Sequence, residues 1–314
     1  MARAFIFPGQ GSQAVGMGKA LSETYAEARA VFAEVDEALG QKLSALMFEG
    51  PEADLTLTAN AQPALMAVSL AVTRVLEAHA GLDIAKQAKF IAGHSLGEYS
   101  ALAAAGTFSI ADTARLLRLR GEAMQKAVPV GEGAMAALLG ADYATGVAIA
   151  EEAAQGQVCQ IANDNGGGQV VASGHKAAVE RAMEIAKAKG IKRAILLPVS
   201  APFHCALMQP AADAMAQALA KVQMKAPCVP VVANVLASPL SDPEEIRRRL
   251  VEQVTGTVRW AESIAYMARE GVDSFYELGS GKVLSGLVKR IADTATGTAV
   301  NSPADIEAFA ALPK

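Results

Sequence analysis

The pentapeptide Gly93-His94-Ser95-Leu96-Gly97 puts a serine where a chain could use it as a nucleophile. An apolar run, Phe90-Ile91-Ala92, precedes it, and a small-residue helical pattern from Tyr99 to Ala105 follows. Strand, sharp turn and helix are the context in which G-x-S-x-G pushes a serine hydroxyl out of a sheet. The two glycines remove side chains where the chain doubles back. The backbone N–H of Leu96 would then stand at a helix N-terminus, able to donate to a developing oxyanion. The same spacing also fits a glycine-rich turn capped by a serine.

A serine nucleophile needs a base. Of the histidines, His94 adjoins Ser95, but neighbours around a tight elbow point apart. His79 and His175 lie at helix ends, in capping or surface positions. His204 lies C-terminal to the serine in a rigid loop, Pro198-Val199-Ser200-Ala201-Pro202-Phe203-His204-Cys205. That order matches the α/β-hydrolase type, although spacing alone also allows a satisfied loop histidine. Arg120 falls on the apolar side of the helical pattern Ile110–Ala127, three and four residues from Leu116, Leu117, Ala123 and Met124. A buried arginine needs an anionic partner. The partner would be an internal carboxylate in a structural ion pair, or the carboxylate of a ligand. A stem reaching the surface is the third option. Gly9, Gly11 and Ala14 fit the weak dinucleotide pattern G-x-G-x-x-G/A, but no second strand follows the next helix. Those glycines better serve a loop that displays Gln10 beside a site.

Composition narrows the classes. A formal net charge of -4 over 314 residues argues against general nucleic-acid binding. The chain is 52% hydrophobic but only 5% aromatic, which suggests close-packed helices. No uncharged apolar run is long enough for a membrane span. The cysteines Cys159, Cys205 and Cys228 are odd in number and lack C-x-x-C spacing, so a reducing cytoplasm fits better than a disulfide framework or a zinc site. Nothing calls for a metal or a bound redox cofactor.

The elements that must position these residues follow from periodicity and caps. A buried strand is expected at Ala4–Phe7 and a helix at Glu23–Leu39. A second helix begins at Gln62-Pro63, with Pro63 in the first position, and runs through Leu76. After the elbow and the Ile110–Ala127 helix, a Pro/Gly boundary opens a β-α-β-β-α-β order between Pro129 and Pro198. Its strands are Ala134–Leu139, Val158–Ala162, Gln169–Ser173 and Lys192–Leu197. Its helices are Asp142–Ala154 and Lys176–Lys189. Beyond it come a helix at Met208–Val222, a strand at Val229–Val235, and a helix opened by Asp242-Pro243 and closed by Gln253. A helix at Trp260–Arg269, a strand at Ser274–Leu278, a helix at Val283–Ile291 and a polar tail complete the chain, with a short helix at Asp305–Ala311. The expected fold is α/β. Residues 1–128 and 199–314 would form a hydrolase-like core with a mainly parallel sheet, and 129–198 an inserted ferredoxin-like α+β subdomain.

Five motifs in order, FPGQGSQ, GHSLGEYSAL, RLRGEAM, PFHCALM and ELGSGKVLSGLVKR, resemble those of malonyl-CoA:acyl carrier protein transacylases. The broader group is the acyltransferase domains of fatty-acid and polyketide synthases, and the resemblance runs from Phe7 to about Arg290. It implies Ser95 as acyl-accepting nucleophile and His204 as base, with Gln10 and the Leu96 N–H as oxyanion hole. Arg120 would bind the free carboxylate of malonyl, Gln253 would orient His204 through its main-chain carbonyl, and Phe203 would exclude an α-methyl branch. The implied partners are malonyl-CoA and acyl carrier protein, with no metal or other cofactor, no nucleic acid and no membrane, acting as a monomer. Lys189, Lys192 and Arg193, or Lys282, Lys289 and Arg290, are candidate basic patches for an acidic carrier. Asn165-Gly166-Gly167-Gly168-Gln169 is more glycine-rich than the family pattern, and Cys205 replaces a frequent serine. A serine hydrolase on a similar elbow, or a carrier-binding protein without activity, would be the rival readings.

Overall fold

The computed structural model describes residues 2–199 and 201–312; Ser200, in the loop before His204, lies outside them. Its frame is set by a strand, β1 (Ala2–Phe7), apolar without a break from Ala4. Only a strand covered on both faces can use such a run. Phe5 and Phe7 enter one core with Ile91, while Ala4 and Ile6 enter another with Phe90 and Ala92. This is the period-two alternation of a pleated strand.

The remaining strands are β2 (Ala88–Gly93), β3 (Gly133–Leu139), β4 (Cys159–Asp164), β5 (Gln169–His175), β6 (Arg193–Leu196), β7 (Val231–Val232), β8 (Pro239–Leu240), β9 (Val258–Arg259), β10 (Val272–Leu278) and β11 (Thr296–Val300). The larger sheet has the order β11-β10-β1-β2-β7-β8. It is parallel except for the terminal β7–β8 pair. Helices Ala26–Leu39, Thr58–His79 and Ile110–Ala127 cover one face through residues such as Phe32, Leu65 and Leu117. Helices Trp260–Arg269 and Val283–Ile291 cover the other through Trp260, Ile264 and Leu287. The protein is therefore a mixed α/β fold.

The second sheet has the order β6-β3-β5-β4-β9. Its first four strands are antiparallel, and β9, from beyond residue 199, adds in parallel to β4. One face carries its own core, in which Ala136 and Leu138 pack with Ile149, Ala153, Val179 and Ala182. Met135, Ala137 and Val171, on the opposite face, join the core of the larger sheet. The order β-α-β-β-α-β between 133 and 196 is the one expected from sequence.

Several boundaries differ from expectation. The helix expected at Glu23–Leu39 is two, Lys19–Thr24 and Ala26–Leu39, because Tyr25 is extended at φ -117 and ψ 133. Helices also form at Leu43–Glu49 and Glu52–Thr56, where no element was expected. Pro63 does not open its helix, which starts at Thr58 and carries Pro63 inside. The strand at Val229–Val235 shrinks to Val231–Val232, since the chain turns at Ala233, whose carbonyl accepts from Ala237 N at 2.8 Å. The tail adds β11, an edge strand whose Thr-Gly-Thr-Ala sequence carries no apolar alternation. Its register comes from pairing with β10.

Candidate active site

The parallel sheet delivers β2 into the elbow, and the helix Gly97–Ala104 leaves it. Ser95 sits at the turn with φ 53, in the left-handed region that ordinary residues avoid. A side chain at Gly93 would strike the Gly97 carbonyl, and one at Gly97 the Phe7 carbonyl. Glycine is therefore required at both positions by close backbone approach. Gly9 packs as closely, since its Cβ would stand 2.7 Å from the His94 carbonyl oxygen. That contact brings the Gln10 loop against the elbow. Asn234, at the end of β7, locks the turn: its Oδ1 accepts from Ser95 N at 2.7 Å and its Nδ2 donates to Gly93 O at 2.7 Å. Leu96 is the N-cap of the following helix, where backbone N–H groups lack intrahelical partners.

His204 meets Ser95 from the loop after β6, with Nε2 2.7 Å from Ser95 Oγ. Its Nδ1 lies 2.8 Å from Gln253 O. A carbonyl can only accept, so Nδ1 carries the proton and Nε2 is free to take one from the serine. Burial, and then the positive charge of Arg120, lower the His204 pKa to about 3. The ring is thus neutral at neutral pH. Gln253 is placed by the helix Pro243–Glu252, which Asp242 caps through Glu245 N at 2.8 Å. Its side chain is used as well: Nε2 donates to Ser95 O at 3.0 Å and to Glu98 Oε2 at 2.7 Å.

Arg120 is 1% exposed, so a stem reaching the surface does not account for it; the nearby Glu98 carboxyl acts on it electrostatically but is not hydrogen-bonded to it among the described residues. Among the described residues Arg120 donates to neutral oxygens: Gln62 Oε1 at 2.7 Å, Gln253 Oε1 at 2.8 Å and, more loosely, Ser95 Oγ at 3.3 Å. The guanidinium also lies over the Tyr99 ring, 5.8 Å from its centroid. A cation held beside the serine by neutral groups keeps its capacity to bind a carboxylate. Ser95, His204, Arg120, Gln10 and Phe203 line one cavity of about 520 Å³ between the two sheets.

The other histidines are elsewhere engaged. His94 turns away from Ser95, with Nε2 2.9 Å from Asn165 Oδ1 and its ring against Trp260. His79 pairs with Glu27 at 3.0 Å. His175 precedes a helix without capping it; its Nδ1 accepts from Val158 N at 2.9 Å. Cys205 Sγ lies 3.1 Å from Pro202 O. Among the described residues, no three His, Cys, Asp or Glu side chains gather as a metal site needs, and no helix is long and apolar enough to cross a membrane.

Sequence reasoning missed Asn234 and Glu98. Glu98 is in the first turn of the elbow helix, where a carboxylate reads as an ordinary partner of the helix dipole. In the structure it is buried and accepts from Gln253 Nε2 and from Asn234 N at 3.3 Å. Burial raises its pKa from 4.5 to about 7, against the hydrogen bonds from Gln253 and Asn234 and the charge of Arg120. A raised carboxyl pKa favours folding fully below pH 4.5 and loses that contribution as pH rises to about 7. Glu98→Gln is therefore expected to gain about 2 kcal/mol on the parent between about pH 5.5 and about pH 8. Urea unfolding at both pH values reads this difference; a difference independent of pH would contradict it.

A serine hydroxyl beside a neutral histidine, in a cavity holding a buried cation, is an arrangement suited to acyl transfer. Residues 4–302 match the acyl transferase domain family. The chain belongs to that family and, within it, to the malonyl-CoA:acyl carrier protein transacylases. A relative of that name from Escherichia coli is 50% identical over 305 residues, covering 97% of each chain. The acyl-carrier-protein S-malonyltransferase of Bartonella henselae superposes with a TM-score of 0.96 at 61% identity, covering 98% of both chains. A malonyl-transacylase in complex with its type II polyketide synthase acyl carrier protein superposes at 0.95, with 44% identity over 98% of this chain and 99% of that one.

Proposed function

We propose that this chain moves a malonyl group from coenzyme A to the phosphopantetheine thiol of an acyl carrier protein through an acyl-enzyme on Ser95. The observation that carries the reading is the position of the Arg120 guanidinium, 3.3 Å from a Ser95 Oγ that is itself 2.7 Å from His204 Nε2. An ester hydrolase has no need of that cation; an acyl group ending in a carboxylate does.

In the first half-reaction Ser95 Oγ gives its proton to His204 Nε2 and attacks the thioester carbonyl. The Leu96 N–H and Gln10 hold the tetrahedral oxyanion. The C–S bond breaks, and the CoA sulfur leaves with the proton from His204. In the second half-reaction His204 takes the proton of the carrier thiol, which attacks the Ser95 ester. Ser95 then leaves and recovers that proton. The malonyl carboxylate pairs with the planar fork of Arg120. This also bears on the base. Arg120 depresses the His204 pKa, and a bound carboxylate offsets that charge, so the substrate raises the basicity of the histidine that serves it. Gln253 orients His204, and Phe203 limits the space beside the acyl chain.

Residues 1–128 and 199–314 are read as a hydrolase-like core, and 129–198 as a ferredoxin-like subdomain with its own apolar cluster. The chain is read as acting as a monomer. Lys282, Lys289 and Arg290 are exposed, as are Lys189, Lys192 and Arg193, but Lys189 is already paired with Glu152 at 3.0 Å. This favours the first group for an acidic carrier. Two half-reactions through one covalent intermediate require parallel double-reciprocal plots when malonyl-CoA and carrier are both varied. Intersecting plots would indicate direct transfer and refute the acyl-enzyme.

A further inference from the structure

Behind the wall of the cavity, Arg120 and Glu98 are joined through one amide. Arg120 Nη2 donates to Gln253 Oε1 at 2.8 Å, and Gln253 Nε2 donates to Glu98 Oε2 at 2.7 Å and to Ser95 O at 3.0 Å. A guanidinium only donates and a peptide carbonyl only accepts, so both ends of this amide are fixed. Asn234 N donates to the same Glu98 oxygen at 3.3 Å. Glu98 and Arg120 are each 1% exposed, and Gln253 is fully buried. Arg120 lines the cavity, and Glu98 stands behind it.

A buried carboxyl thus shares Arg120 with whatever occupies the cavity. Its other surroundings are uncharged. The elbow helix Gly97–Ala104 packs on β1, β2, β7 and the helix Thr58–His79, whose buried residues carry no charge. In the helix Ile110–Ala127 the buried charge is Arg120 itself. Tyr99, the next residue, has its phenol pKa raised by burial and stays neutral. Burial lowers the pKa values of His94 and His204 below the ordinary 6.5, so both rings are neutral as well. Burial raises the Glu98 pKa to about 7, and the bonds from Gln253 and Asn234 and the Arg120 charge act against that rise. A second carboxylate brought to Arg120 draws on the same positive charge and repels the first. Two carboxyls so placed drive one of the pair to its neutral form. Glu98 Oε2 accepts both hydrogen bonds, which leaves Oε1 to carry a proton with neither bond broken.

We propose that Glu98 takes up a proton from solvent when the malonyl carboxylate pairs with Arg120, so that Arg120 exchanges an internal counterion for the substrate. The proposal rests on the carboxylate role given to Arg120. The charge around the guanidinium is then the same before and after binding. Uptake on binding means that malonyl-CoA is held more weakly as pH rises above about 7. An acyl group without a carboxylate leaves Glu98 as it was.

The test uses the Ser95→Ala protein, which binds acyl-CoA without accepting the acyl group. Titration calorimetry in buffers of different ionisation enthalpy counts the protons. Acetyl-CoA carries the same coenzyme A phosphates and is the reference. At about pH 7.5 malonyl-CoA is expected to bring roughly 0.5 proton more than acetyl-CoA. Between about pH 6.5 and about pH 8.5 its affinity relative to acetyl-CoA is expected to fall roughly ten-fold. Adding Glu98→Gln, which keeps an acceptor for Gln253 and Asn234 but cannot titrate, is expected to abolish both effects. Equal proton counts for the two acyl-CoAs, or an excess that survives Glu98→Gln, would overturn the proposal; tighter binding of malonyl-CoA than of acetyl-CoA would then still uphold the Arg120 assignment. Equal affinities at every pH would overturn both.

Discussion

Ser95→Ala is expected to lower malonyl transfer by roughly five to six orders of magnitude, the scale on which removing a nucleophile acts. The substitution deletes one oxygen. The elbow itself is held by backbone and Asn234 contacts that alanine keeps, since the locking bonds are made by Ser95 N and Gly93 O. The alanine must still adopt φ near the 53 of the serine, a modest strain that the surrounding packing already enforces. Melting temperature and malonyl-CoA affinity should therefore change little while turnover vanishes. Residual transfer above a few per cent would mean that another group accepts the acyl chain.

Arg120→Ala is expected to cost malonyl acylation roughly a hundred- to a thousand-fold, the loss of a desolvated, charge-assisted pair. Acetyl-CoA, which has no carboxylate, should lose far less. The electrostatics act in the same direction: after burial, Arg120 is the next cause of the lowered His204 pKa, so its removal does not weaken the base. The variant also strips a donor from Gln62 Oε1 and Gln253 Oε1, a stability cost of about 1 kcal/mol for each unsatisfied acceptor. Comparing first-turnover rates for the two acyl-CoAs separates recognition from this general damage. Equal losses for both would remove Arg120 from carboxylate binding. Arg120→Lys keeps the charge without the planar fork and should fall between the two.

How far the sequence carried the reading depended on the kind of contact. Helices with a strong apolar stripe, Ile110–Ala127, Trp260–Arg269 and Val283–Ile291, have the bounds that periodicity predicts. The elbow was legible because its glycines answer to backbone geometry over a few residues. Arg120 was legible because it breaks the stripe around it. The polar frame behind the cavity was not. Asn234 reaches Ser95 across 139 positions and Gln253 reaches Glu98 across 155. A buried amide or carboxyl looks the same in sequence as a solvated one. Gln62 was read as part of a helix start because Pro63 follows it, yet the helix begins at Thr58 and Gln62 lies within it, bonded to Arg120. The short β7 was overextended because Val229–Val235 is apolar, whereas Asn234 is needed at the elbow. Tertiary pairing, not local preference, set those residues.

The most direct test of the account is a chase of the covalent intermediate. The protein is mixed with malonyl-CoA, freed of small molecules, and weighed intact; one malonyl group should be present, and absent in Ser95→Ala. Adding phosphopantetheinylated acyl carrier protein should then move that group to the carrier within a turnover time, while in buffer the adduct persists far longer. An adduct that water removes as fast as the carrier does, or a carrier that is malonylated while the protein never gains mass, would contradict it.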